Sequence, residues 1–286
     1  MQIKAFTLHN PKHHANLLNW PEEDAFKYLT LKDKTIIAVA DGITRDPIDL
    51  PNLPDYNTII GEVELAIEYP IPSPARKAAD LFCDSFLNYA KKSKPSMGTI
   101  KNSMLYSNKK IKQLNKNKKI DYLENDFAAC VASAGIVSAN ILYYGFITDC
   151  GVAIFSRKGK LKFITKSEGP NPKIGKEIAK ESEKYGLGWK DPRWRARTRS
   201  HYRNNTKEPL AYGALTGEET AKYYIGIGKK ELLPRDYVVF YSDGFLPIIA
   251  SKKFNITKQF NNLKDYFEKH AEKIDGSEGT VVVIAT

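Results

Sequence analysis

Apolar positions along the chain fall into two periods. Short β-branched and aromatic runs bounded by turn residues predict strands at QIKAFTL (2–8), AFKYLTL (25–31), KTIIAVA (34–40), DFAACVASAGIV (126–137), ILYYGFIT (141–148), VAIFS (152–156), KLKFIT (160–165), DYVVFY (236–241) and GTVVVIAT (279–286). The first three read as an antiparallel meander, and Arg157-Lys158-Gly159 reads as the turn of a hairpin. Helical spacing takes over after Pro74, where Ala75, Ala78, Ala79, Phe82, Phe86 and Tyr89 recur on one face. It returns more weakly over 96–114 through Ile100, Met104, Ile111 and Leu114, and again at Phe260, Leu263, Phe267 and Ile274. Residues 43–74 hold six prolines and read as a long irregular excursion, 167–211 as a basic surface flap, and 214–228 as a short helix or turn. Strands in runs separated by helices in runs predict a layered α+β domain rather than βαβ units.

Composition adds bounds to this picture. A chain of 286 residues, 42% of them hydrophobic, suffices for one large domain spanning 1–286. No apolar run approaches membrane-spanning length, and the N-terminal residues lack the apolar core of a signal peptide. Three cysteines, at 83, 130 and 150, lie in or beside apolar runs and lack zinc-ligand spacing, which suits buried free thiols in a reducing, cytoplasmic setting. The net charge of +11 invites an anionic partner. Lys109 to Lys119 falls on a helix-like segment, where lysines commonly mark a solvated face. The run from Trp189 to Arg203, with Arg193, Arg195 and Arg197 among aromatic residues, suits phosphate contact better. Neither run belongs to a nucleic-acid reading motif, and phosphorylated protein satisfies the same charge.

Candidate chemistry lies at two strand ends. KTIIAVADG and DYVVFYSDG both run apolar into Asp-Gly, at Asp41-Gly42 and Asp243-Gly244. A carboxylate at the rim of an apolar sheet needs a compensating charge or hydrogen bonds, and a hard divalent cation supplies the charge. Glycine after the aspartate permits a sharp turn and brings its carbonyl near whatever the carboxylate holds. Asp-Gly also makes plain turns, and each dipeptide alone carries no more than that.

The motifs taken together say more. Glu23-Asp24-Ala25, Ala40-Asp41-Gly42, Thr148-Asp149-Cys150, Ser242-Asp243-Gly244 and Glu278-Gly279-Thr280 occur in an order that resembles the metal-dependent protein phosphatases of the type 2C serine/threonine class, over nearly the whole chain. The resemblance implies a four-layer α-β-β-α sandwich of two central antiparallel sheets flanked by helices, with two Mn²⁺ or Mg²⁺ ions and a weaker third at one end. It implies that Asp41 bridges both metals and Gly42 gives its carbonyl, that Glu23 and Asp243 each serve one metal, and that Asp149 serves the third. Its activity is hydrolysis of phosphoserine and phosphothreonine in proteins, for which paired cations supply charge neutralisation and a reactive water. Other routes lack their residues: the arginine after Cys150 is Arg157, one position too late for a thiol phosphatase, and no complete phosphate-binding glycine loop is present.

Departures from the pattern are specific. Asn19 stands where the family places a phosphate-gripping arginine, Ile43-Thr44-Arg45 replaces the usual glycines, and Ser277 stands where the last motif has a metal aspartate. Glu278, one position along, and Asp275, two before, remain to serve that metal, although alternation along a strand turns neighbours to opposite faces. The alternative function is a catalytically silent protein of the same fold that binds a phosphorylated or nucleic-acid partner through its basic surfaces.

Overall fold

The structure, a computed structural model, describes residues 1–13, 20–44, 58–116, 121–123, 127–169, 180, 186 and 192–286. Among these, ten strands form two antiparallel five-stranded sheets. One runs β1 (Gln2–His9), β10 (Glu278–Ala285), β9 (Tyr237–Tyr241), β6 (Gly151–Phe155), β7 (Leu161–Ile164). The other runs β2 (Ala25–Thr30), β3 (Thr35–Gly42), β4 (Cys130–Ser138), β5 (Ile141–Ile147), β8 (Ile225–Glu231). The expected hairpin β6–β7 is present. No helix among the described residues is long and apolar enough to cross a membrane.

Three apolar interiors separate four layers. Ile36, Ala38 and Ala40 of β3 face Ala78, Phe82 and Phe86 of α2 (Pro74–Lys91) and Ile100 and Met104 of α3 (Met97–Leu114). Ile37 and Val39, on the other face of β3, meet Val152, Ile154, Val238, Phe240, Val282 and Ile284 between the sheets. Val239, Tyr241, Val281 and Val283 then pack on Phe245, Phe254, Leu263 and Phe267 of the outer helical layer. Both long helices start as their sequences dictate. Ser73 Oγ accepts from Arg76 N at 3.0 Å ahead of Pro74, and Ser96 Oγ accepts from Thr99 N at 3.0 Å.

Four expectations are corrected. β1 does not join the β2–β3 meander; it pairs with β10 along its whole length, from Gln2↔Ala285 to His9↔Glu278. A strand's own alternation names its buried face but not its neighbour. The proline-rich excursion contains α1 (Ile59–Glu68), whose Thr58 Oγ1 accepts from Gly61 N at 3.1 Å. The segment 214–228 has the expected short helix at Glu219–Tyr223 but also begins β8, whose Gly226 and Gly228 stand opposite Phe146 and Tyr144. Past Phe260 the expected helix is broken into short turns at Phe260–Asn262, Leu263–Glu268 and Ala271–Lys273. Within the basic flap, α4 (Pro192–Tyr202) is a helix, and most of 170–191 lies outside the described residues.

Candidate metal centre

Strand alternation decides which acids meet. The even-numbered residues of β9 and β10 and the odd-numbered residues of β3 face the space between the sheets. Followed to the strand ends, that space receives Asp41 from β3 and Glu278 and Thr280 from β10. Phe26 of β2 packs into it as well, so Asp24 lies on its side while Glu23, in step with Ala25, faces the helices. Ser242, in step with Phe240, donates from Oγ to Asp24 Oδ2 at 2.7 Å and accepts from Thr280 N at 2.8 Å. Asp243 opens a single helical turn, Asp243–Phe245, and its carboxyl lies beside that of Asp41, close enough for the two acids to act on each other. Asp149 arrives on the crossing from β5 to β6, which belong to different sheets. Thr148 makes that crossing at φ 67°, rare for a β-branched residue, and its Oγ1 donates to Gly213 O.

Every carboxyl of this group is pushed above its ordinary range, chiefly by removal from water. Asp24 rises to about 7, held back by Ser242 and Thr280 and raised further by the charge of Asp243. Asp149 also rises to about 7, with Asp243 adding to the effect of burial. Glu278 rises to about 9, its burial reinforced by the charge of Asp24. Asp243 is raised by burial and Asp41 is raised far, the charges acting on Asp41 after burial being Asp24, Asp243, Asp149 and Glu278, all acidic. Asp149 Oδ1 is buried and accepts no hydrogen bond. Neighbouring carboxylates withdrawn from water cannot all ionise without a counter-charge, and an orphaned buried oxygen lacks a partner. A divalent cation answers both needs with an all-oxygen donor set. The residues therefore fit Mg²⁺ or Mn²⁺, with Asp24, Asp41, Asp149 and Asp243 as the carboxylates able to hold it.

The remaining site expectations are placed differently. Glu23 is buried away from this cluster: Ser73 Oγ and Tyr69 OH donate to its Oε1 at 2.6 and 3.0 Å, and Thr44 Oγ1 donates to its Oε2. Asp24, not Glu23, is the member of the motif that joins Asp41. Glu278 shares the inter-sheet face, but its Oε1 accepts from the backbone N–H of Glu23 and Asp24 at 2.6 and 2.9 Å. Asp275 is exposed, and its charge raises both Asp149 and Asp243. Arg193 and Arg197 are exposed on α4 and Arg195 is half-buried. Arg199 of that helix is buried and donates from Nη2 to Thr44 O at 3.2 Å. Sequence reading missed Arg199 because an arginine run gives no sign of which member turns inward. Asn19 and Arg45 lie outside the described residues.

Two glycines hold the strand ends together. A Cβ at Gly42 would stand 2.6 Å from Glu23 O and 2.7 Å from Ala75 C and O, all backbone atoms. A Cβ at Gly244 would collide with Glu278 O and Gly279 Cα. The Gly42→Ala variant is expected to lose about 1–3 kcal/mol of stability, as overpacked sites do, read as a lower urea midpoint at unchanged m. An unchanged midpoint would show that the α2 start can move away.

No protein-family model matches the sequence, and no curated protein matches it. Solved structures do. RsbX in complex with magnesium aligns at TM-score 0.54 and 11% identity, over 100% of this chain and 95% of that one. The catalytic domain of the serine threonine protein phosphatase PstP, in complex with 2 manganese ions, aligns at TM-score 0.55 and 14% identity, over 99% and 96%. The S. agalactiae serine/threonine phosphatase aligns at TM-score 0.55 and 13% identity, over 100% and 99%. With two packed antiparallel sheets, helices on both outer faces and acids gathered at the strand ends between them, this divergent chain has the fold of the type 2C serine/threonine phosphatases.

Proposed function

We propose that this chain is a metal-dependent phosphatase acting on phosphoserine and phosphothreonine in proteins. The observation that carries the reading is the convergence of the Asp41 and Asp243 carboxyls, with the charges of Asp24, Asp149 and Glu278 also gathered on Asp41. Paired Mn²⁺ or Mg²⁺ ions, when bound, supply charge neutralisation for a phosphate ester dianion and a water reactive near neutral pH. Asp41 and Asp243 carry the largest share of holding them, with Asp24 and Asp149 beside them and the Gly42 carbonyl as a further donor. Ser242 orients Asp24 by donating to one of its oxygens. Glu23, fixed by Ser73, Tyr69 and Thr44, positions the start of β2. Arg199, turned inward against Thr44, is the member of its helix best placed to meet a phosphoryl oxygen, and Arg193, Arg195 and Arg197 extend positive charge along the same helix for an acidic or phosphorylated partner.

Phosphate release from p-nitrophenyl phosphate and from a phosphoserine peptide is expected with Mn²⁺ and is expected to stop with EDTA. Release that survives EDTA would sink this reading. The catalytically silent alternative draws on Ser277 standing where an aspartate is expected and on the Glu278 oxygen committed to two backbone amides. No release with any divalent ion, alongside binding of the phosphopeptide, would favour it. The division of labour between neighbours is testable too. Asp24→Asn is expected to weaken Mn²⁺ binding by about tenfold or more in calorimetry, and Glu23→Gln by less, since losses of that size follow even from outer partners of metal ligands. The reverse order would return Glu23 to the metal.

A further inference from the structure

We propose that His9, Glu22 and Glu278 form a separate cation site, suited to a first-row divalent ion with affinity for nitrogen, of which Zn²⁺ is the type. The site is built by sheet register. His9 ends β1 directly opposite Glu278, which opens β10, and Glu22 lies just ahead of β2. One ligand atom from each of the three lies within 4.8 Å of the others.

The hydrogen bonds of the two carboxylates leave one oxygen of each for this purpose. Glu22 Oε1 accepts from Arg76 Nη1 at 2.6 Å, and Glu278 Oε1 accepts from the two amides of Glu23 and Asp24. The other oxygens flank one imidazole, Glu22 Oε2 at 3.7 Å from His9 Nε2 and Glu278 Oε2 at 3.9 Å from Nδ1. Both separations are too long for hydrogen bonds. Glu278 Oε2 is buried without any hydrogen-bond partner, on a side chain only 9% exposed, and it points into this group. A buried oxygen in that condition is costly unless something binds it. One ion takes a single imidazole nitrogen, and with one such choice the three ligand atoms lie within 4.8 Å of one another. Ligand bonds of about 2.0–2.2 Å span pairs up to about 4.4 Å apart, so the trio closes on an ion with a shift of a few tenths of an ångström. An imidazole with two carboxylates favours a transition ion over Mg²⁺, which prefers oxygen and water. His9 is half-exposed, which gives the ion a path in.

The inference is independent of phosphatase activity, and so is its test. Co²⁺, whose visible absorption reports nitrogen-oxygen ligation, is titrated into the full-length Asp41→Asn variant, where the main carboxylate centre is impaired. One equivalent is expected to bind with a visible spectrum, in the presence of millimolar Mg²⁺. Adding His9→Ala is expected to weaken that binding at least tenfold, about the least that loss of a direct ligand should cost. Glu22→Gln should do the same, and matching thermal melts would show that the fold is kept. Binding unchanged by both substitutions, or abolished by Mg²⁺, would overturn the proposal and leave the trio as an ion-pair cluster only.

Discussion

Asp41→Asn is expected to remove metal-dependent phosphate release almost entirely, by about 10³-fold or more, which corresponds to about 4 kcal/mol of barrier. The same substitution is expected to stabilise the metal-free protein at pH 8. These opposite signs have one cause. Asp41 stands where the charges of Asp24, Asp243, Asp149 and Glu278 all act on it. Asparagine keeps the shape, donates from its own amide to Asp243 and adds no charge, so the metal-free repulsion falls. Without the carboxylate, however, the cluster loses its most central anionic donor. Turnover with Mn²⁺ and melting in EDTA, measured on the same two proteins, check both halves. A variant that stays active, or that is less stable than the parent without metal at pH 8, would show that Asp41 is not the centre of the cluster.

The second large effect is a stability profile that runs against the usual direction for acidic groups. Asp24 and Asp149 rise from 3.8 to about 7, and Glu278 from 4.5 to about 9. Their native-state values lie above their unfolded ones, so between about pH 4 and pH 9 the native protein binds more protons than the unfolded chain. Stability then falls as pH rises through that window. In EDTA the melting temperature is expected to be higher at pH 5.5 than at pH 8. A tenfold change in proton affinity is worth about 1.4 kcal/mol, so several such groups together amount to several kcal/mol. Cations replace protons at these oxygens, so Mn²⁺ should raise the melting temperature far more at pH 8 than at pH 5.5. Ligand at about 1,000 times its Kd adds about 4 kcal/mol, or roughly 10 °C for a domain of this size. Equal metal effects at both pH values, or metal-free stability that climbs from pH 5.5 to 8, would contradict the cluster.

Much of the architecture could be read from residues because the strands are rich in β-branched and aromatic types and α2 carries its own start signals, Ser73 and Pro74. Both Asp-Gly ends were legible for the same reason, as polar stops to apolar runs. The choice between Glu23 and Asp24 was not. It depends on which face of β2 and β3 meets the second sheet, and β3 is apolar on both faces, so its alternation carries no contrast. Ile36 and Ile37 look alike in sequence yet belong to different interiors. α1 was hidden by the prolines around it, although Pro47, Pro51 and Pro54 precede it and Pro70, Pro72 and Pro74 follow it. β8 was hidden by its glycines, which weaken a strand's local signal and leave its existence to the aromatic residues on β5. The expectation drawn from Ser277, that an acid must be found nearby, leads to Glu278, but what that side chain grips depended on where β1 would pair.

That pairing has a consequence for how the protein is made. β10 is the bridge between β1 and β9, so that side of the sheet closes only when strands far apart in the sequence meet. The other sheet has all its strands by Glu231 and can assemble while synthesis continues. Until β10 docks, the space between the sheets lacks part of one wall, so the gathering of the acids waits on that long-range pairing.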